Sequence, residues 1–268
     1  MVRLSKLHGL GNDFLVAMSD PPDPDPALAV AVCARRTGIG ADGLVHGLPP
    51  TVPDADVRMV LLNADGTEAE ISGNGIRCLA HEFLRLAGRA EGTVRVETAV
   101  GIRQVRAVRG APSGELVCEV DFGVARPGPG ILRAAEAVPA RHRASVDVGN
   151  PHVVLVTDSA DDLDVAVVGP QVEAAYPAGV NVHLATVGAG DVVDVRVWER
   201  GVGVTQACGS GAVATAWALR ELGLVGSHVE VHMPGGSVQV VVADDGHLSL
   251  LGPSVFVGVV ELAESVSQ

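Results

Sequence analysis

Two stretches of the chain carry a reactive side chain in the same setting: EAEISGNGIRCLAHEF, residues 68 to 83, and VTQACGSGAVATAW, residues 204 to 217. In each, a single hydroxyl or thiol, Ser72 or Cys208, precedes Gly-x-Gly and then an apolar run with helical spacing. A helix start presents backbone N–H groups outside the intrahelical ladder and a partial positive charge, and glycine lets an anion come close to that backbone. Such a start is a seat for a carboxylate. If two of them grip one carboxylate, Ser72 and Cys208 lie on opposite sides of its α-carbon, one to remove the α-proton and the other to deliver a proton to the far face. The result is inversion of a stereocentre. An amino-acid α-hydrogen is a very weak acid, so the donors on the carboxylate must carry the stabilisation, at roughly 3 to 4 kcal/mol for each preorganised donor. A thiolate suits the base role, since free cysteine has a pKa near about 8.5 that a helix start can adjust. A serine hydroxyl is a far weaker acid and needs a helper, for which His8 and His152, beside two Gly-Asn turns, are the candidates.

The elements that must position these groups repeat. RLSKLHG reads as a strand, followed by a Gly-Asn turn and a second strand from Phe14. SDPPDPDP (19 to 26) reads as an exposed loop and ALAVAVCARR as a helix ended by Gly38. A strand near DVRMVLLN leads to the Ser72 element and a helix to about Gly88, and alternating apolar residues from 93 to 122 read as strands. The second half runs in the same order: VDVGNPHVVLV gives strand, turn, strand; DDLDVAVVGPQVEAA a short helix; AGVNVHLATV and DVVDVRVWERG strands; Cys208 then opens a helix to about Gly223. GSHVEVHMP, GSVQVVVAD, HLSLLGP and SVFVGVVELA read as four closing strands. Asn12 and Asn150 lie 138 residues apart, Ser72 and Cys208 136 apart, a period far beyond the roughly 20 to 50 residues of a solenoid. The spacing predicts a mixed α/β fold of two pseudo-symmetric domains from an internal duplication, each a curved, mostly antiparallel sheet around a central helix. The expected boundaries are 1–115 and 116–254, with 255–268 returning to complete the first domain and a cleft between the two.

Composition narrows the chemistry. A chain of 268 residues with 47% apolar content and a mean hydropathy of +0.33 can fill a sizeable interior. A formal net charge of -13 argues against nucleic acid, where affinity comes from Lys and Arg neutralising phosphates. No apolar stretch reaches the roughly 18 residues of a membrane helix, and the N-terminus lacks a signal-peptide core, so a cytoplasmic protein is expected. Lys6 is the sole lysine, which speaks against a pyridoxal phosphate Schiff base. Cys33, Cys78, Cys118 and Cys208 show neither disulfide nor zinc spacing, and all but Cys208 read as apolar fillers. GIGADG (38 to 43) satisfies a dinucleotide pattern only formally, since no strand precedes it. On a strand His228 and His232 are about 13 Å apart, too far to share a metal. No cofactor and no metal are expected.

KLHGLGNDF (6 to 14), NADGTEAEISGNGIRC (63 to 78), GNPH (149 to 152), GVNV (179 to 182) and WERGVGVTQACGSGA (198 to 212) resemble, in order and spacing, the motifs of the diaminopimelate epimerases, over nearly the whole chain. The resemblance implies a cofactor-independent two-base epimerase of two pseudo-symmetric α/β domains, a homodimer, converting LL- to meso-diaminopimelate for lysine and peptidoglycan synthesis. It puts Cys208 and position 72 in the roles of the two bases, with His152 near the reacting centre. It has Gly73, Asn74, Gly209 and Ser210 supply N–H groups to the reacting carboxylate, and Asn12, Asn63, Asn150, Asn181, Glu199 and Arg200 hold the rest of the substrate. The last pair also makes independent sense, an arginine fork for a carboxylate and a glutamate for an ammonium. Two positions depart from the pattern: the family has cysteine where this chain has Ser72, and usually glutamate where it has Val204. An epimerase or racemase of another amino acid, or a silent amino-acid-binding paralogue, therefore stays open beside the first reading.

Overall fold

The computed structural model describes residues 2–18, 23–69 and 72–262. The loop expected at 19 to 26 thus falls partly on residues 19–22, and the C-terminal segment partly on 263–268, which lie outside the described residues. The chain divides into two compact units, one running to Val120 and resuming at Gly252, the other Asp121–Leu251.

The first unit holds β1 (Arg3–Gly9), β2 (Asn12–Ala17), α1 (Pro26–Cys33), β3 (Gly43–Leu48), β4 (Val57–Asn63), β5 (Glu68–Ala69), α2 (Gly73–Leu86), β6 (Gly92–Thr98), β7 (Gly101–Gly110) and the start of β8 (Glu115–Val124), which ends in the second. The chain continues through β9 (Arg126–Pro127), α3 (Arg133–Glu136), β10 (His142–Asp147), β11 (Pro151–Val156), α4 (Val165–Glu173), β12 (Asn181–Val187), β13 (Val192–Glu199), β14 (Gly203–Thr205), α5 (Gly209–Glu221), β15 (His228–Met233), β16 (Gly236–Val242) and β17 (His247–Glu261). The pairing repeats step for step. β1 with β2 is antiparallel, β2 with β3 parallel, β3 with β4 and β4 with β5 antiparallel, β4 with β6 parallel, β6 with β7 antiparallel. β10 with β11, β11 with β12, β12 with β13, β13 with β14, β13 with β15 and β15 with β16 follow the same sequence of senses. The mixed α/β, duplicated architecture expected from the sequence is what the strands form.

Each unit is built around one buried helix. α2 is buried from Gly73 through Glu82 and again at Leu84, and packs on β1, β2, β6 and β7. α5 is buried from Gly209 through Ala216 and packs on β10, β11, β12 and β16. A helix enclosed on all sides must satisfy any polar side chain it carries. In α2, Glu82 meets Arg85 at 2.6 Å and accepts from Ser5 Oγ at 2.7 Å, while His81 reaches Ser254 Oγ at 3.0 Å and the Pro112 carbonyl at 2.9 Å. The β1–β2 turn places Leu10 at φ 55° and Gly11 at φ 81°. This is the backbone of a two-residue hairpin turn that wants glycine, and it sets Asn12 at the start of β2.

Some elements differ from the sequence expectation. HLSLLGP and SVFVGVVELA form a single strand, β17. Its first half pairs with β16 as far as Leu251 and its second half with β1 from Val255 onward. Pro253 sits between the two, where a missing N–H breaks neither ladder. β8 crosses the unit boundary at 120/121 and β17 the one at 251/252. α1 stops at Cys33 instead of continuing through Arg36, and Arg35, outside the helix, bonds both Asp13 and Asp42. The short β5, β9, α3 and β14 have no counterpart in the sequence reading.

Burial on α2 sets a clear contrast in stability. Leu79→Ala, at a fully buried site, should lower the unfolding free energy by roughly 2 to 5 kcal/mol. Leu86→Ala, at the exposed end of the same helix, should stay within about 0.5 kcal/mol, both read from urea denaturation.

Candidate active site

Ser72 and Cys208 cap their helices with nearly the same backbone, φ -135° and ψ 119° at Ser72 and φ -128° and ψ 112° at Cys208. Ser72 Oγ accepts from Gly75 N at 3.0 Å and Cys208 Sγ from Gly211 N at 3.3 Å. The Ile76 and Ala212 N–H groups then open the two ladders on the carbonyls of Ser72 and Cys208, each at 2.9 Å. The cap thus uses the third N–H of each helix, and the first two, those of Gly73 and Asn74 and of Gly209 and Ser210, precede the ladder.

In the second unit, Glu199 at the end of β13 sets its carboxylate against the Cys208 thiol and accepts from Thr205 Oγ1 at 2.5 Å. Ser210 Oγ lies 3.5 Å from the sulfur, and Cys208 N donates to Met233 Sδ at 3.4 Å. Burial, reinforced by the Glu199 carboxylate, pushes the thiol far above its ordinary range, although the contacts with Ser210 and Gly211 pull the other way. Desolvation outweighs the pull of the helix start and holds the Cys208 thiol toward its neutral form, the form that donates a proton.

The same unit groups Asn150, His152 and a residue that the sequence reading missed, His183. His152 Nε2 lies 2.7 Å from Asn150 Oδ1 and its Nδ1 lies 2.8 Å from His183 Nε2. An amide oxygen only accepts, so His152 carries its proton on Nε2, and its Nδ1 accepts from His183 Nε2–H. His183 Nδ1 is buried with no hydrogen-bond partner among the described residues. Burial holds both rings neutral, His183 down to about 3 and His152 well below the usual histidine range, with His183 and Arg200 adding to the effect. His183 sits against the first turn of α5: a Cβ at Gly211 would come within 2.3 Å of His183 Cε1. Its part is invisible in sequence because it depends on the parallel register of β11 and β12, which sets His152 opposite Asn181 and His183 diagonally next to it. Asn181 Nδ2 donates to the Pro151 carbonyl at 2.9 Å, and Asn181 Oδ1 accepts from Arg200 N at 3.0 Å.

In the first unit, Asn74 Nδ2 donates to Asn12 Oδ1 at 2.9 Å, and Asn12 Nδ2 to Asp42 Oδ2 at 2.8 Å. Asn63 closes β4 and donates from Nδ2 to Thr67 Oγ1 at 3.0 Å. His8 accepts from Gly11 N at 3.4 Å within its own turn. Lys6 is engaged with Asp13 and the Gly40 carbonyl. Cys33, Cys78 and Cys118 are buried free thiols, as expected of fillers. Val204 is exposed.

A sequence model of the diaminopimelate epimerase family matches residues 4–125 and 144–257. The diaminopimelate epimerase of Rhodospirillum centenum is 39% identical over 278 aligned residues, covering 98% of this chain and 93% of that protein. That of Sphingopyxis alaskensis is 41% identical over 246, covering 89% and 88%. Among solved structures, a predicted epimerase from Pseudomonas aeruginosa superposes with a TM-score of 0.75 at 21% identity, covering 98% of this chain and 99% of that one; at that identity the likeness is one of fold.

The buried titratable groups give stability a plateau in pH. His46 at about 4, His183 at about 3, and His81 and His152, also lowered, take up protons in the unfolded chain near pH 6.5 but not in the folded one. Stability should therefore fall as pH drops below about 6.5. Cys33 and Cys78, pushed up to about 11, and Cys118, to about 12, reverse the sign at the alkaline end, where the unfolded thiols ionise first. Urea unfolding across this range should show stability declining again above about pH 9. Separately, Gly211→Ala should cost roughly 1 to 3 kcal/mol in the same assay, because its methyl enters the space of His183.

Proposed function

Since the chain belongs to the diaminopimelate epimerase family, we propose that it interconverts LL- and meso-diaminopimelate by cofactor-independent proton exchange at one α-carbon. The observation that carries this reading is the matched pair of hydroxyl- and thiol-capped helix starts at Ser72 and Cys208. In a two-base inversion one group takes the α-proton from one face while the other gives its own proton to the opposite face. Cys208, held as a neutral thiol, is the donor in this scheme. The resulting thiolate would accept from the Ser210 hydroxyl and the Gly211 N–H, the two contacts that already favour its charged form.

In this reading the N–H groups of Gly73, Asn74, Gly209 and Ser210 take the reacting carboxylate and stabilise the negative charge that grows on it as the α-proton leaves. Asn12, Asn63, Asn150 and Asn181, with Glu199 and Arg200, hold the ammonium groups and the distal carboxylate, and His152 fixes the Asn150 amide. Ser72 is the slow partner, because a hydroxyl ionises with far more difficulty than a thiol. Ser72 and the exposed Val204 favour one second reading, the epimerisation of a different amino acid. The family reading also carries a homodimer.

Incubation with LL-diaminopimelate in D2O, followed by NMR and chiral analysis, tests the reaction. Deuterium should enter the α-position with inversion, Ser72→Cys should raise the rate by orders of magnitude, and Cys208→Ser should abolish exchange. Exchange confined to another amino acid would replace this substrate with that one. Binding of diaminopimelate without exchange by both the native chain and Ser72→Cys would overturn the reading.

A further inference from the structure

Arg77 is fully buried in the second turn of α2, and no carboxylate contacts it among the described residues. Its Nε donates to the Pro253 carbonyl at 3.2 Å, Nη1 to the Gly73 carbonyl at 3.0 Å and Nη2 to Asn74 Oδ1 at 2.6 Å. Burial lowers its pKa, yet a guanidinium in a protein stays charged. A buried cation without a counter-ion is heavily penalised by desolvation. The fold does not demand one there: the matching position in the other repeat, 136 residues on, is Val213, also buried. The backbone has made room for it, since a Cβ at Gly9 would lie 2.8 Å from Arg77 Nη2.

The guanidinium is one end of a chain of bonds. Arg77 only donates, so it fixes Asn74 with its oxygen inward; Asn74 Nδ2 then donates to Asn12 Oδ1, and Asn12 Nδ2 donates to Asp42 Oδ2, which only accepts. Turning either amide over would set donor against donor or acceptor against acceptor. Asp42 is itself held by Arg35 at 2.6 Å and by Asp13 N at 3.0 Å.

We propose that Arg77 and Asp42 are positioning residues that lock the Asn74 and Asn12 amides in one orientation, so that this end of the substrate site presents N–H donors and selects a carboxylate. The proposal rests on the function given above. The locked chain uses Asn12 Oδ1 as an acceptor and leaves Asn12 a single amide hydrogen to offer. The bond to the Gly73 carbonyl fixes the plane of the Gly73–Asn74 peptide, and so the direction of the Asn74 N–H, and polarises that N–H toward an acceptor. The buried positive charge adds a field at the start of α2 that no ion pair among the described residues cancels.

The test compares Arg77→Met, Arg77→Lys and Asp42→Asn with the native chain, by kinetics on LL-diaminopimelate, by thermal melting and by solvent exchange of the Asn12 and Asn74 side-chain amide protons in NMR. Arg77→Met should raise KM by roughly 10- to 100-fold with a smaller change in kcat, as expected for loss of charge-assisted binding. Asp42→Asn should raise KM by roughly tenfold, and Arg77→Lys, which keeps the charge but not the fork, should fall between. The amide protons should exchange slowly in the native chain and quickly in Arg77→Met and Asp42→Asn. A lowered melting temperature with KM and amide exchange unchanged would reduce Arg77 to a packing role and overturn the proposal. If Arg77→Met does not fold, Arg77→Lys and Asp42→Asn decide by the same measurements. A native chain inert toward diaminopimelate would defeat the reaction proposed above, while slow or fast amide exchange would still uphold or overturn the lock.

Discussion

Each repeat turns on one short contact, the bond from the third N–H of a buried helix to the side chain that caps it. At Ser72 and Cys208 this bond fixes the rotamer of the reactive group and the direction of the helix start. It also determines which backbone donors precede the ladder. A capping side chain turned out of this position would leave a buried N–H unsatisfied. The glycines that follow serve the same contact. Gly75 keeps its Cβ position near Ser72 clear, and Gly211 gives His183 the space a methyl group would fill. The sheets hold these helix starts by enclosing α2 and α5 almost completely, so that the caps cannot drift with a surface loop.

The two repeats share topology and differ in electrostatics. Behind Ser72 stands a buried guanidinium that reaches Asp42 through two amides; beside Cys208 stand a carboxylate and two neutral imidazoles. A duplicated scaffold can therefore carry two different proton affinities without altering its backbone. The differences reside in side chains such as Arg77 against Val213, which pairing in the sheets does not constrain.

Much of this was legible in the sequence because the determining signals are local. Period-two alternation marked most strands, Gly88 and Gly223 ended the two long helices, and Ser-Gly-x-Gly and Cys-Gly-x-Gly announced the caps. What escaped depends on partners distant in the chain. One of the two carbonyl partners of Arg77 belongs to Pro253, and His183 meets His152 only through a parallel register. The Gly-Pro pair at 252 and 253 has the composition of a turn, yet the strand runs on because its neighbour changes there. The direction of the Cys208 shift is hidden for a related reason: a helix start is visible in a motif, whereas the desolvation and the Glu199 carboxylate that oppose it come from the packed unit.

The continuity of β17 also bears on how the protein is made. The outer partner of β1 is residues 255–261, about 250 positions later in the chain. During synthesis on a ribosome the β1–β2 hairpin must wait, one edge bare, until residues 255–261 have been added. The first unit cannot close before the second has been written, and a fragment ending near residue 120 would expose a strand edge ready to pair with another copy of itself.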